Sequence, residues 1–255
     1  MNLNFNLGIS SNYHSNTQIA RVLTENWVKE NMFCPVCGRA FIERFPNNAP
    51  VADFYCPDCK HQYELKSKNG PLGNKVNDGA YDAMIKRITS NENPDFFLMN
   101  YSKETWSVRD FVFVPRFFFT PGIIEKRKPL GDTALRAGWT GCNILINQIP
   151  RQGRIQIISD GIAAEPQTVV GMVSRSLKLE VNDLSTRGWL FDILNCVNAI
   201  RMNVFRLEDV YTFEEWLHSR HPRNNNIKPK IRQQLQLLRD KGYIEFLGNG
   251  LYRKL

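Results

Sequence analysis

The sequence of 255 residues lacks any run of eighteen or more apolar residues, so we expect no transmembrane helix and no membrane partner. Its first residues, MNLNFNL, lack the basic stretch followed by an apolar one that marks a signal peptide. Repeats and low-complexity segments are also missing, and acidic residues are outnumbered, with 25 against 33 lysines and arginines. These absences predict a globular cytoplasmic protein, and the net charge of +8 favours a polyanionic partner.

Cysteine is scarce, with six residues in all, and four of them form two Cys-x-x-Cys pairs: Cys34, Cys37, Cys56 and Cys59. In a reducing compartment such pairs are more often metal ligands than disulfides, and four thiolates complete the tetrahedral shell of zinc. We therefore predict a structural Zn²⁺ site, with unrelated buried cysteines or a redox pair as the alternatives. His61, next to the last cysteine, is the weaker candidate ligand. Cys142 and Cys196 lie in apolar surroundings and are predicted to be core residues.

Two acidic residues and a lysine flank the second cysteine pair. Glu64 and Lys66 are two apart in the strand-like run QYELKS, so both lie on one face while Leu65 faces the core. Asp53 lies in another strand-like run, VADFY, and the cysteine pair between the two runs would form the turn of an antiparallel hairpin. Two carboxylates that meet in this way can hold Mg²⁺, and the lysine can stabilise a phosphate or help to activate water. Glu-x-Lys also occurs by chance on exposed strands, so an inert strand remains the alternative.

The first 183 residues combine helical and β-rich segments. The pattern SNTQ at residues 15–18 is typical of a capping box and predicts a helix. Residues 67–77 are predicted to be a mobile basic loop, and Asp78 is predicted to cap a second helix. Short β-rich runs follow at residues 96–99, 111–114, 117–119, 144–146 and 155–158. Helices beside several strands predict an α/β (α+β) sandwich around a mixed sheet for residues 1–183.

Beyond residue 184 the pattern changes to three helices and a hairpin. Helical periodicity covers residues 189–200, 207–218 and 227–241, and the turn GNG at 248–250 predicts a terminal β-hairpin. Three helices followed by a hairpin is the order of a winged helix, so residues 184–255 are predicted to be a DNA-binding domain.

The third of these helices has the charge expected of a DNA reader. From Arg220 to Lys241 there are seven basic residues and one acid, a sum of +6. At 100° per residue, the buried side consists of Ile227, Ile231, Leu235 and Leu238. Arg232, Gln233 and Gln236 then point outward and can contact base edges. The residues suited to phosphates are Lys228, Lys230, Arg253 and Lys254. A solvated polar face is the alternative.

Five strings carry a resemblance to a known family: residues 50–56 (PVADFYC), 64–68 (ELKSK), 77–81 (NDGAY), 136–144 (RAGWTGCNI) and 231–236 (IRQQLQ). On these motifs the whole chain resembles the DpnI-like methyl-directed type II restriction endonucleases. The resemblance implies a PD-(D/E)xK nuclease domain with an inserted four-cysteine zinc site, followed by a winged helix. Asp53, Glu64 and Lys66 fall on the catalytic motif, where Ala52 replaces the usual proline.

The same resemblance implies Mg²⁺-dependent cleavage of double-stranded DNA at GATC containing N6-methyladenine, leaving a 5′-phosphate. Because each chain has one predicted active site, a double-strand break needs either two successive nicks by a monomer or a transient dimer on the DNA. Trp139, in a glycine-flanked stretch, is a candidate for the pocket that binds the methyl groups, and an ordinary core position is its alternative. Two rival functions remain at this point. One is a methyl-DNA-binding transcriptional regulator with an inert triad, and the other is a PD-(D/E)xK nuclease of different specificity.

Overall fold

The computed structural model describes residues 1–46, 52–90 and 93–255, so residues 50 and 51 of the PVADFYC motif lie outside the described residues. Its helices are α1 (Asn16–Asn31), α2 (Tyr81–Ile88), α3 (Pro166–Leu177), α4 (Leu184–Ala199), α5 (Leu207–Tyr211), α6 (Glu214–Arg220) and α7 (Ile227–Asp240). Its strands are β1 (Glu43–Arg44), β2 (Phe54–Tyr55), β3 (Gln62–Asn69), β4 (Val76–Ala80), β5 (Asp95–Ser102), β6 (Ser107–Val114), β7 (Ile124–Lys126), β8 (Gly141–Ile144), β9 (Ile155–Ser159), β10 (Ile162–Ala163), β11 (Val204–Arg206), β12 (Ile244–Gly248) and β13 (Leu251–Lys254). None of the described helices combines the length and the hydropathy that crossing a membrane requires.

A seven-stranded sheet, in the order β1-β2-β3-β5-β6-β9-β10, forms the centre of the N-terminal part. Neighbouring strands are antiparallel except for β3 and β5, which run parallel in a register that sets Lys66 beside Leu98. A second sheet of three strands has the order β4-β8-β7. The mixed α/β class predicted from the sequence is confirmed.

The two faces of the central sheet are covered by different elements. On one face, side chains of α1 and α3 such as Trp27 pack against Phe97 and its neighbours. On the other face lie α2, the second sheet and α4. Because successive side chains of a strand alternate between faces, Leu65 of β3 packs with the first group, whereas Glu64 and Lys66 open toward the second.

Two local predictions are wrong. Residues 117–119 belong to a 3₁₀ turn (Arg116–Phe118) and its exit instead of a strand, because flanking prolines limit extension and the phenylalanines fill the core. Asp78 lies in β4 and does not cap α2, whose N-cap is Ala80. The helix predicted from the SNTQ pattern is confirmed, with Ser15 as the N-cap of α1, although the Ser15 side chain makes no capping hydrogen bond. The sequence interpretation also misses α3, and it places a loop where β4 begins.

The C-terminal part has the order predicted for a winged helix. Hairpin β12-β13 follows α7 and is joined by β11 into a three-stranded sheet. The helix predicted over residues 207–218 is divided into α5 and α6 by Thr212 and Phe213. α4 begins after Asp183, whose carboxylate accepts a hydrogen bond of 2.6 Å from the amide of Thr186.

The N-terminal part and the winged helix share one continuous core. The ring of Phe118 stacks on that of Phe191 in α4, with centroids 4.5 Å apart. Arg220 donates to Gln148 Oε1 (2.8 Å) and forms an ion pair with Asp192 (3.1 Å). Arg220 therefore belongs to the contact between the two parts, although the sequence groups it with the charges that face DNA.

Candidate active site and metal centre

The four cysteines of the two Cys-x-x-Cys pairs come together beside the turn between β2 and β3. Their Sγ atoms all lie within 4.8 Å of one another, with 3.5 Å between Cys34 and Cys59 and 3.6 Å between Cys37 and Cys56. Zinc bonded tetrahedrally to four sulfurs at about 2.3 Å requires sulfur–sulfur separations of about 3.8 Å. The cluster therefore fits one Zn²⁺, as the sequence predicts.

Neighbouring groups favour a bound cation at this cluster. Burial raises the pKa of the Cys34 thiol to about 11, so a thiolate at this position needs a cation to stabilise it. The hydroxyl of Tyr63 on β3 lies 3.0 Å from Cys34 Sγ, where it can donate to the thiolate and orient it. The ring of His61 turns away, with its Nδ1 2.6 Å from Asp95 Oδ2. His61 is therefore not part of the cluster.

The hairpin that carries the second cysteine pair also aligns Asp53 with β3. The amide of Cys56 donates to the carbonyl of His61 (2.8 Å), which closes the turn. One residue before β2, the amide of Asp53 donates to the carbonyl of Tyr63 (3.0 Å). The Asp53 carboxylate accepts from the amide of Leu65 (2.8 Å). Two of the four cysteines, Cys56 and Cys59, and the Asp53 carboxylate are thus held by one hairpin.

Asp53, Glu64 and Lys66 lie on one face of this hairpin. Continuing the register of β2 and β3 places Asp53 opposite Glu64. Lys66 Nζ lies 2.6 Å from Glu64 Oε1, and the exposed fractions of their side chains are 20% and 13%. The three residues predicted from the sequence are therefore neighbours, and two of them are in direct contact.

Two further charged residues complete this cluster, and neither is predicted from the sequence. Asp78, in β4, accepts a hydrogen bond of 2.5 Å from Lys66 Nζ and is almost buried. Arg87 of α2 lies 2.5 Å from Glu64 Oε2. Lys66 therefore lies between two carboxylates, and Glu64 lies between two cations. The NDGAY motif contains Asp78, but only the pairing of β4 with β8 fixes where Asp78 points.

Burial and charge set the protonation of the cluster. Burial raises the pKa of Asp53, and the carboxylate of Glu25 on α1 adds to this because like charges disfavour ionisation. Burial disfavours the charged form of Lys66, but the two carboxylates beside it outweigh burial and raise the pKa of its ammonium. Lys66 is therefore a cation at neutral pH.

The two carboxylates of this site could hold a divalent cation that keeps most of its water ligands. In the described part of the chain, only the cysteines form a group of three or more ligand residues with atoms within 4.8 Å of one another. Mg²⁺ prefers oxygen ligands, uses one or two protein carboxylates and keeps several waters. Asp53 and Glu64 match that requirement, and the raised pKa of Asp53 means that a cation beside it would be stabilising.

Trp139 lies near the base of a hairpin loop that joins β7 to β8. The loop is closed by hydrogen bonds from Arg127 N to Gly141 O (3.0 Å) and from Leu130 N to Trp139 O (2.9 Å). Trp139 is half-buried, with the guanidinium of Arg136 at 5.1 Å from its ring centroid, so it is not an ordinary core residue. A Cβ on Gly141 would lie 2.9 Å from the indole, which explains the glycine.

The predicted recognition helix buries the predicted face. Ile231 and Leu235 are fully buried, whereas Arg232, Gln233 and Gln236 are exposed. Arg232 Nη1 donates to the hydroxyl of Tyr211 (2.7 Å), so its guanidinium is oriented before any ligand binds. The two glutamines are thus presented on one surface of α7.

The predicted phosphate contacts differ in their surroundings. Lys228 and Arg253 are exposed and form weak surface ion pairs, with Glu214 at 3.3 Å and Glu245 at 3.1 Å respectively. Lys230 donates to a neighbouring glutamine on α7. Lys254 is half-buried, and its ammonium donates to the backbone carbonyl at the end of α4. The structure therefore does not bring Lys254 to the exposed surface with Arg253.

Comparison with known families covers nearly the whole chain. The model of the DpnI family, described as the Dam-replacing family, matches residues 1–181. A second model, described as the Dam-replacing HTH domain, matches residues 185–254. The match is to a DpnI-like enzyme with a C-terminal winged helix, which confirms the resemblance carried by the sequence motifs. The chain belongs to the DpnI, or Dam-replacing, family.

Proposed function

We propose that this protein is a methylation-dependent type II restriction endonuclease that hydrolyses double-stranded DNA at GATC containing N6-methyladenine, with Mg²⁺ as cofactor. The observation that carries the proposal is the partly buried cluster of Asp53, Glu64 and Lys66 on the cysteine-clamped hairpin, in a chain of a restriction endonuclease family. We assign catalysis to residues 1–183 and a second DNA-reading role to residues 184–255. Such an enzyme would meet its DNA in the cytoplasm, where the zinc-binding thiols stay reduced.

Asp53 and Glu64 are the residues that would hold Mg²⁺, which when bound supplies positive charge at the scissile phosphate and lowers the pKa of a water ligand. Glu64 is already flanked by Lys66 Nζ at 2.6 Å and Arg87 Nη1 at 2.5 Å. Both cations are therefore beside the place where a phosphate would approach the carboxylates. Their role is to stabilise the charge that develops on the phosphoryl oxygens during attack by water.

Lys66 acts in this proposal as a fixed cation. The carboxylates of Glu64 and Asp78 keep its ammonium protonated, and burial limits its motion. If Glu64 held the metal, Asp78 would remain as the hydrogen-bond partner of Lys66. The oxygen of water forms a bond to phosphorus as the bond from phosphorus to the 3′ oxygen breaks. The water gives up a proton and the 3′ oxygen gains one, so the products are a 3′-hydroxyl and a 5′-phosphate.

Recognition of the methylated base rests on apolar contact. N6-methylation leaves one proton on the exocyclic nitrogen, so a glutamine such as Gln233 or Gln236 can still hydrogen-bond there. Burial of one methyl group contributes about 0.8 kcal/mol, and GATC carries one adenine on each strand. Trp139 is the candidate for this contact in the catalytic part. The carbonyl of Thr140, the residue after Trp139, accepts a hydrogen bond from the amide of Tyr81. Tyr81 is three residues after Asp78, so the loop that carries Trp139 is attached close to the catalytic cluster.

One assay tests the proposal against its rivals. The protein is incubated with Mg²⁺ and two plasmid preparations, one methylated at the adenines of GATC and one unmethylated. Cleavage of the methylated plasmid alone supports the proposal. Binding without cleavage would identify a methyl-DNA-binding regulator, and cleavage of both plasmids would identify a nuclease of another specificity. A Lys66→Ala variant should lose cleavage and keep most of its DNA binding, because the winged helix is unchanged.

A single catalytic cluster is expected in each chain. A double-strand break then requires two successive nicks by a monomer or a transient dimer on the DNA. The accumulation of nicked circles before linear plasmid would indicate the first route.

A further inference from the structure

A cleft lined by two arginines lies on the same face of the central sheet as the proposed catalytic residues. It is a cleft of about 450 Å³ between β5, β6, β9 and the residues that precede β4. Leu98 and Val112 form an apolar floor, and Arg151 and Arg154 line the cleft. Its position and its two guanidinium groups make it a candidate for binding an anion.

Neither arginine is neutralised by the protein. In the part of the chain that the structure describes, the guanidinium groups of Arg151 and Arg154 make no salt bridge, hydrogen bond or aromatic contact. Arg154 Nε is fully buried and has no partner. Burial lowers the pKa of Arg154, with no carboxylate acting against it. A buried donor without a partner is costly, and an anionic oxygen beside it would remove that cost.

The one carboxylate that lines the cleft is engaged elsewhere. Asp110 Oδ2 accepts from Asn100 Nδ2 (2.6 Å), and Asp110 Oδ1 accepts from the amide of Asp160 (2.9 Å). Both oxygens of Asp110 are thus used to fix the ends of β5, β6 and β9. Arg151 and Arg154 remain the groups that are available to an incoming ligand.

Strand register relates the cleft to the catalytic cluster. Lys66, Leu98, Val112 and Gln156 are successive partners across β3, β5, β6 and β9. With neighbouring strands about 4.8 Å apart, Gln156 on the far side of the cleft lies roughly 14 Å from Lys66. Arg154 precedes Gln156 by two residues. The cleft therefore begins next to Lys66, at Leu98 on the adjacent strand, and its far side lies at a distance comparable to the width of a DNA groove.

We propose that Arg151 and Arg154 bind a backbone phosphate of the DNA substrate beside the catalytic centre. The proposal rests on the proposed nuclease function and adds a substrate site to it. A guanidinium offers a planar pair of donors that matches a phosphate, and contacts of this kind position DNA without reading its sequence. Positive charge also extends from the cleft to the hairpin of β12 and β13, where Lys254 lies. Burial lowers the pKa of Lys254, and the nearby charge of Arg151 lowers it further.

The test measures DNA cleavage by the full-length protein and by the variants Arg154→Ala and Arg151→Ala. Each variant should raise the KM for methylated plasmid about tenfold, since a hydrogen bond to a charged group is lost, and should leave kcat unchanged. The slope of log KM against log salt concentration should fall by about 0.9 for one lost phosphate contact. The matched control is Arg109→Ala, because Arg109 is an exposed arginine of β6 that is already paired with Asp160 at 2.7 Å.

The outcomes separate this proposal from the proposed function. If the unmodified protein cuts methylated DNA and both arginine variants keep its KM and salt slope, the phosphate site is refuted alone. If no DNA is cut, the proposed function fails, and loss of DNA binding in Arg154→Ala but not in Arg109→Ala would still support the site. If Arg154→Ala fails to fold, the KM and salt slope of Arg151→Ala test the site, because Arg151 is exposed. A last outcome is that inorganic phosphate raises the Tm of the unmodified protein but not that of the two arginine variants. Together with an unchanged KM in those variants, this result would refute the DNA contact and assign the cleft to free phosphate.

Discussion

Replacement of Asp78 by asparagine is expected to slow cleavage without weakening DNA binding. Asp78 accepts a hydrogen bond of 2.5 Å from Lys66 Nζ, and the side chains of Lys66 and Asp78 are 20% and 9% exposed. The substitution keeps the shape of the side chain, and asparagine Oδ1 can still accept from the amide of Gly79, as Asp78 Oδ1 does at 2.8 Å. Only the charge that holds Lys66 is removed.

The size of the effect follows from the partners of Lys66. A hydrogen bond to a charged group contributes about 1.5–3 kcal/mol. A Glu64 carboxylate that holds the metal would not take the place of Asp78 as the partner of Lys66. Asparagine Oδ1 can still accept from Lys66 Nζ, but without the carboxylate charge this bond is weaker by roughly half, about 0.75–1.5 kcal/mol. The weaker bond in the transition state lowers kcat roughly 3- to 13-fold. Single-turnover cleavage of methylated plasmid at saturating Mg²⁺ measures this rate, and gel mobility in EDTA measures binding, which should not change.

The matched control is Asp82→Asn, which removes an exposed carboxylate on α2 four residues further along. It should leave both the cleavage rate and the Tm unchanged. A single-turnover rate for Asp78→Asn within twofold of the unmodified protein, at an unchanged Tm, would show that Lys66 does not depend on Asp78. An equal loss of activity in both variants would point to a general effect of charge on DNA binding.

Three further predictions concern other parts of the molecule. Cys56→Ser should release zinc and lose cleavage together with stability, because this cysteine closes the turn of the catalytic hairpin; normal cutting by zinc-free protein would disprove the coupling. Trp139→Ala should fold and cut methylated and unmethylated plasmids alike, whereas unchanged discrimination would exclude a methyl pocket there. Gly153→Ala should reduce the free energy of unfolding by about 1–3 kcal/mol, since its Cβ would lie 2.6 Å from the ring of Phe118, and a Tm equal to that of the unmodified protein would contradict the packing.

Much of the site could be predicted from the sequence because its parts are local. The zinc ligands follow from two short motifs whose spacing matches a tetrahedral shell. Glu64 and Lys66 share a face because side chains alternate along a strand, and this holds whatever the strand packs against. The exposed face of α7 follows in the same way from helical periodicity. In each case the deciding geometry belongs to a single element or turn.

Asp78, Arg87 and Arg220 could not be placed in this way. The short helix after NDGAY suggests that Asp78 is a cap, but β4 pairs with β8, in which Cys142 is the partner of Asp78. Arg87 is one of many basic residues on helices until α2 packs over β3 beside Glu64. Arg220 is counted with the DNA-facing charges until Gln148 and Asp192 engage its guanidinium.

The sequence by itself determined the grouping of the four cysteines, the proximity of Asp53, Glu64 and Lys66, the exposed face of α7 and the family. It could do so because short-range backbone geometry fixes where those side chains point. The tertiary structure alone decided that Asp78 and Arg87 complete the cluster, that Lys254 turns to α4, and that two unpaired arginines line a cleft whose far side lies roughly 14 Å from Lys66. These features depend on strand pairing and packing between residues far apart in the chain, which no local pattern specifies.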